Sequence, residues 1–148
     1  MPRVPPKKKT FIDLCAGCGG LSLGLMEAGW RGLFAVEKND LAFKTLSHNL
    51  ISGNNFKFDW PGWLPKKPIS IESLLSSHKG NLFSLRGQVS LLAGGPPCQG
   101  FSTVGKRVAH DPRNQVFRHY MKLVTILEPD AVLMENVRGI LYRFKTDD

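Results

Sequence analysis

Two short apolar runs, Thr10 to Cys15 and Leu33 to Val36, are separated by a glycine turn and one stretch of helical spacing. A run of four to six residues suits a buried strand and is too short for a buried helix. Ala16 to Gly20 makes the turn. Leu21, Gly24, Leu25 and Ala28 then recur at helical spacing, and Gly29 is a natural C-terminal stop. Two strands joined through a helix run parallel, because the crossover carries the chain back to its starting end. This unit commits the chain to an α/β fold with a Rossmann-like parallel sheet and flanking helices.

Later segments extend the pattern. Asn39 or Asp40 caps a helix with Phe43, Leu46 and Leu50 on one face. Residues 52 to 88 are interrupted by Asn54, Pro61, Pro65, Pro68 and Gly80, with one or two helical turns over Ile71 to Ser76. Trp60 and Trp63 in this stretch pack a long connection onto the sheet, or alternatively stack on bases. Val89 to Ala93 is a buried strand. Residues 99 to 111 form a loop, and Asp111-Pro112 opens a helix carrying a Phe117, Tyr120, Val124, Leu127 stripe. Pro129 stops it, and Ala131 to Met134 is a further buried strand.

Asp13, Glu37, Cys98 and Glu135 therefore stand at or just past C-terminal strand ends, the edge where open parallel sheets bind ligands. Gly17, Gly19 and Gly20 open a helix, and Glu37 follows Gly17 by twenty residues. That spacing is like a dinucleotide site, but Ser22 occupies the third glycine position and the Asp13 carboxylate would repel a pyrophosphate. The set suits a ligand with a positive centre, a ribose and no phosphate. S-adenosylmethionine is such a ligand, with Asp13 toward its methionyl end and Glu37 toward its ribose diol.

Cys98 follows a strand and two prolines, with Gly95 before it and Gly100 after. A thiol held stiffly on one side and covered by a loop on the other suits a nucleophile. Cys15-Ala-Gly-Cys18 keeps two other readings open, a dithiol oxidoreductase and half of a zinc site. Zinc would need two further ligands, no second cysteine pair exists, and the four histidines lack metal-ligand spacing. No metal is expected.

A net charge of +8 is consistent with an anionic partner. No apolar stretch approaches the roughly 18 to 20 residues of a membrane helix. Residues 1–9 read as a basic flexible leader rather than a signal peptide, with Lys7-Lys8-Lys9 solvated or touching phosphates. Three cysteines make a secreted disulfide framework a poor fit, which places the chain in an intracellular, reducing setting.

Residues 11 to about 139 resemble the cytosine-5 DNA methyltransferases. Phe11-Ile-Asp-Leu-Cys-Ala-Gly-Cys-Gly-Gly20 is similar to the family's first motif and Val36-Glu37 to its second. Pro96-Pro97-Cys98-Gln99 is similar to the fourth, Asp111 to Phe117 to the fifth, and Glu135-Asn136-Val137 to the sixth. The resemblance implies methyl transfer from S-adenosylmethionine to carbon 5 of a cytosine flipped out of double-stranded DNA. Cys98 would add to carbon 6, Glu135 would bond the ring as a buried strand-end acid, and Asn136 would hold the loop. Asp13, Cys15, Gly17, Gly19, Gly20, Leu21, Glu37, Ser70, Ile71, Pro96 and Val116 would surround the cofactor. Gln99, Ser102, Lys106 and Arg107 would meet the nucleic acid; a solvated loop is the other reading of the two basic residues.

Three departures accompany the resemblance. Cys15 replaces an aromatic that contacts the adenine. Ser70 stands where an acid bonding the adenine amino group is expected. The later arginine motif, the target-recognition region and the C-terminal helix are absent. Residues 10–148 are thus expected to be the cofactor half of a catalytic domain that needs a missing half or a second chain. A non-catalytic fragment binding S-adenosylmethionine or a partner is the alternative. Methylation of tRNA is another, although Gly100-Phe101-Ser102 resembles the DNA enzymes. The setting would be cytoplasmic in a bacterium and nuclear in a eukaryote.

Overall fold

A computed structural model describes residues 9–97 and 115–136. Four strands form one parallel sheet: β1 (Thr10–Leu14), β2 (Arg31–Val36), β3 (Leu91–Gly94) and β4 (Ala131–Met134), in the order β2-β1-β3-β4. The chain leaves β1 to build β2 on one side and β3 on the other. The crevice past the C-terminal ends of β1 and β3 is therefore the switch point of the sheet.

Strand pleating divides the core. Ile12, Leu14, Phe34, Val36 and Leu92 join one buried cluster, together with α3 (Ile71–Ser77) and α5 (Gln115–Leu127). Phe11, Ala35, Leu91 and Ala93 join the other, against α1 (Gly20–Glu27) and α2 (Asp40–Leu46). Asp13 alternates with Ile12 and Leu14, so it shares the α1 face with its register partners Ala35 and Ala93.

Local signals explain most boundaries. Gly19 precedes α1 at φ 93°, and a Cβ there would lie 2.8 Å from Leu50 Cδ1. Asn39, not Asp40, caps α2: its side chain accepts from Ala42 N at 2.9 Å. The turn after α2 is a π-helical segment, Ser47–Ile51, which keeps Leu50 buried beside Phe43 and Leu46. Trp60 and Trp63 pack edge-on against Phe34, with centroids 6.5 and 5.6 Å away, and Trp60 Nε1 donates to Leu64 O at 2.8 Å. Along α5, Tyr120, Leu123, Ile126 and Leu127 are buried, so the stripe is broader than the expected set; Phe117 and Val124 are half-buried.

Two expectations are corrected. A fourth helix, α4 (Lys79–Ser84), forms despite Gly80, because Leu82 is wholly buried against the core. Ala131 to Met134 is a strand but not a buried one: Val132 and Leu133 are each 44% exposed. Among the described residues β4 is an edge strand of the sheet, and both of its faces are left partly open.

Candidate functional site

Strand ends bring the site together. A hollow of about 290 Å³ is lined by Cys15 after β1, Glu37 after β2, and Gly95 and Pro97 after β3. Ile71 of α3 and Val116 of α5 add apolar walls, and Ser70 lies beside Ile71. Five residues expected around a cofactor thus share one cavity: Cys15, Glu37, Ser70, Ile71 and Val116.

Glu37 ties the glycine turn to β2. Its Oε2 accepts from Gly17 N at 2.8 Å and its Oε1 from Asn39 N at 2.7 Å. The carboxylate is held in one orientation by backbone amides, and each oxygen keeps a lone pair for a ligand. Ser70 is committed elsewhere: its hydroxyl accepts from Ser73 N at 3.0 Å and donates to Ser73 Oγ at 2.9 Å, capping α3. Glu72, two residues further, lines the same hollow as an exposed carboxylate.

Asp13 is not on the wall of this hollow. It is fully buried, with Oδ2 accepting from Ser22 Oγ at 2.5 Å and Oδ1 left without a partner. Ser22, the misfit in the glycine pattern, is therefore the residue that anchors Asp13 beneath α1. Burial pushes the Asp13 carboxyl up to about 6, against the lowering effect of the Ser22 bonds, and Glu37 adds to the rise. Gly19 and Gly20 border a separate groove of about 720 Å³ with Cys18 and Leu23, while Leu21 packs against the α1-side core.

Cys15 sits at φ 56°, unusual for a residue with a Cβ. Burial pushes its thiol up to about 12, with Glu37 and Asp13 adding to the effect. A thiol held protonated is the reverse of what a dithiol oxidoreductase needs. Cys15 and Cys18 are both free. Among the described residues no group of three or more His, Cys, Asp or Glu gathers as a metal site.

At the far end of the crevice, Glu135 N donates to Gly94 O at 2.9 Å, and Asn136 Nδ2 donates to Pro96 O at 3.3 Å. Asn136 thereby fastens the turn carrying Pro96 and Pro97 to the end of β4. Pro96 itself is buried and lies off the hollow, whereas Gly95 and Pro97 line it. Gly94 must be glycine, since a Cβ would fall 2.2 Å from Leu14 O. Glu135 is exposed rather than buried, because the edge strand leaves it uncovered by the described residues. Cys98, Gln99, Ser102, Lys106, Arg107 and the Asp111-Pro112 helix start lie outside the described residues.

Sequence reasoning missed Lys38, Glu72, Gln115 and His119, all on the hollow's wall. Each adjoins a residue that was singled out: Lys38 follows Glu37, Glu72 follows Ile71, Gln115 precedes Val116, and His119 lies one helical turn beyond it.

Comparisons with known proteins bear on the family and the fold. The type II methyltransferase M.DdeI of Desulfomicrobium norvegicum is 38% identical over 131 residues, covering 88% of this chain and 28% of its own length. M.XorII of Xanthomonas oryzae is 35% identical, covering 87% and 28%. M.AquIA of Picosynechococcus is 31% identical, covering 90% and 50%. The chain thus spans between about a quarter and a half of these relatives. A solved structure of a candidate DNA modification methyltransferase from an E. coli prophage superposes with a TM-score of 0.58 at 33% identity, covering 90% of this chain and 33% of that one. The S. pombe Dnmt2 methyltransferase, at 0.51 and 19% identity over 90% and 35%, shares the fold. A family profile described as C-5 cytosine-specific DNA methylase matches residues 9–146, and the chain belongs to that family.

Proposed function

We propose that this chain is the cofactor-binding and nucleophile-bearing part of an enzyme that methylates carbon 5 of cytosine in DNA. The observation that carries the reading is the hollow at the switch point, with Glu37 oriented by two amides and Pro97, the residue before Cys98, on its wall.

The residues fit S-adenosylmethionine. Val36, Ile71, Val116 and Pro97 offer apolar surface for a flat ring. Glu37 has acceptor capacity for a ribose diol. The Ser70 hydroxyl spends its proton and one lone pair on its cap, so the Glu72 carboxylate on the same wall is the stronger acceptor for an exocyclic amino group. The unpartnered Asp13 oxygen supplies negative potential from beneath the glycine turn. When bound, S-adenosylmethionine supplies an electrophilic methyl group on its sulfonium.

The chain's own residues do the rest. The Cys98 thiolate adds to carbon 6 of a flipped cytosine, forming an S–C bond and turning carbon 5 into a nucleophile. Glu135 bonds the ring edge and eases negative charge from it as the thiolate adds. After methylation, loss of the carbon 5 proton and breakage of the S–C6 bond restore the ring. Asn136 fixes the turn before Cys98 through Pro96, a positioning role that its 3.3 Å contact supports. Target recognition and completion of the site fall to sequence outside this chain, in the same or a second polypeptide. An intracellular location goes with that reading; among the described residues no helix is long and apolar enough to cross a membrane.

The test is methyl incorporation into duplex DNA by a longer enzyme carrying this segment, with and without Cys98→Ala. Transfer is lost in the variant while S-adenosylmethionine still binds; retained methylation refutes the mechanism.

A further inference from the structure

We infer that a second hollow, beside the cofactor hollow and beyond its outer rim, is a phosphate-binding site. It encloses about 480 Å³ between the segment leading into α3 and the C-terminal end of that helix. Its wall carries Lys38, Lys67, Ser73, Ser77 and His78, and no carboxylate.

The hollow is held in shape by bonds that leave its donors free. Ile69 N donates to Glu37 O at 2.9 Å and Lys67 N to Pro65 O at 2.9 Å, so the incoming segment is pinned to the end of β2. His78 N donates to Leu74 O at 3.0 Å, and the His78 ring rests 5.4 Å from that of Trp63. Lys38 and Lys67 make no ion pair, and the Ser77 hydroxyl makes no hydrogen bond, among the described residues. Among the described residues, two lysines without an ion pair, a histidine and a serine hydroxyl without a hydrogen bond thus line one concavity.

A single carboxylate would satisfy one cation. A phosphate group brings up to two negative charges and several acceptor oxygens, which matches two lysines and neutral donors on separate walls. A concave surface of one sign also concentrates the field that draws such an anion in. Lys38, Ile69 and Ser70 border both hollows, and Lys67, Ser73, Ser77 and His78 border only this one. The two hollows adjoin, but Lys67, Ser77 and His78 allow this one to be probed apart from the cofactor hollow, and it does not depend on the methyl-transfer reading. A phosphate of a DNA backbone and a free phosphate share this chemistry.

The test is an NMR titration of the whole chain with inorganic phosphate and, separately, with a short DNA duplex. It is repeated on Lys67→Ala and on Lys57→Ala, an exposed lysine away from the hollow. Amide signals of Ser73, Ser77 and His78 are expected to move saturably. Lys67→Ala weakens binding up to about fivefold, the range of one exposed charge pair, and Lys57→Ala leaves the affinity at these residues unchanged. Shifts induced by the duplex, with a salt slope reduced by about one in Lys67→Ala, assign a backbone phosphate. Shifts induced by inorganic phosphate alone assign a free phosphate. No shift at these residues with either ligand, or equal weakening by the two substitutions, overturns the site.

Discussion

Asp13→Asn isolates the cost of burying a carboxylate under the glycine turn. Asp13 has no solvent exposure, one oxygen bonded to Ser22 and one with no partner. Its carboxyl titrates near 6 in the fold against an ordinary 3.8. At about 1.4 kcal/mol per pH unit, that difference is worth about 3 kcal/mol of unfolding free energy. The folded pKa is the higher one, so the folded state binds the proton more tightly than the unfolded chain. The favourable contribution is fully present below about pH 4 and is lost as pH rises through about 6. Asparagine keeps an oxygen to accept from Ser22 and does not ionise. Urea unfolding of both proteins between pH 4 and 7.5 should show the variant gaining about 2.5 kcal/mol on the wild type across that window. The m values should stay unchanged. A stability difference that is flat with pH, or that moves the other way, would refute the burial argument.

Three further outcomes follow from the same geometry. Gly94→Ala forces a methyl within 2.2 Å of the Leu14 carbonyl, a backbone atom of the central strand; it should cost about 2 to 3 kcal/mol in urea unfolding, and a neutral result would contradict the packing. Iodoacetamide at pH 8, read by peptide mass spectrometry, should label exposed Cys18 and spare Cys15, whose thiol at about 12 holds about a thousandfold less thiolate than one at 9.0; comparable labelling would remove that burial effect. The purified chain alone should methylate duplex DNA poorly or not at all, since it spans about 28% of M.DdeI; turnover by the 148-residue protein would show that nothing further is needed.

Much of the architecture was legible because it rests on local chemistry. The glycine turn, the Asn39 cap and the buried runs of β1 to β3 are set by backbone conformation and by the short length of the apolar segments. β4 was misread as buried because Ala131 to Met134 is as apolar as an inner strand, while exposure depends on neighbours along the sheet. α4 was missed because Gly80 and Asn81 are poor helix formers, and burial of Leu82, which depends on tertiary packing, helps hold the turn. Half of the hollow's wall was legible as motif residues. Glu72 and His119 were not, because they reach it only when α3 and α5 pack against each other. Ser22 was read as a defect in a glycine pattern, and its bond to Asp13 is visible only in three dimensions.

The most direct test of the cofactor site is a calorimetric titration of the purified chain with S-adenosylmethionine, beside Glu37→Ala, with circular dichroism to establish folding of both. Saturable binding by the wild type, lost or at least about tenfold weaker in Glu37→Ala, is the expected result, since a charge-assisted carboxylate bond contributes roughly 1.5 kcal/mol or more. A folded wild-type chain that gives no binding heat, or a Glu37→Ala variant that binds equally well, would contradict the assignment of this hollow to the cofactor.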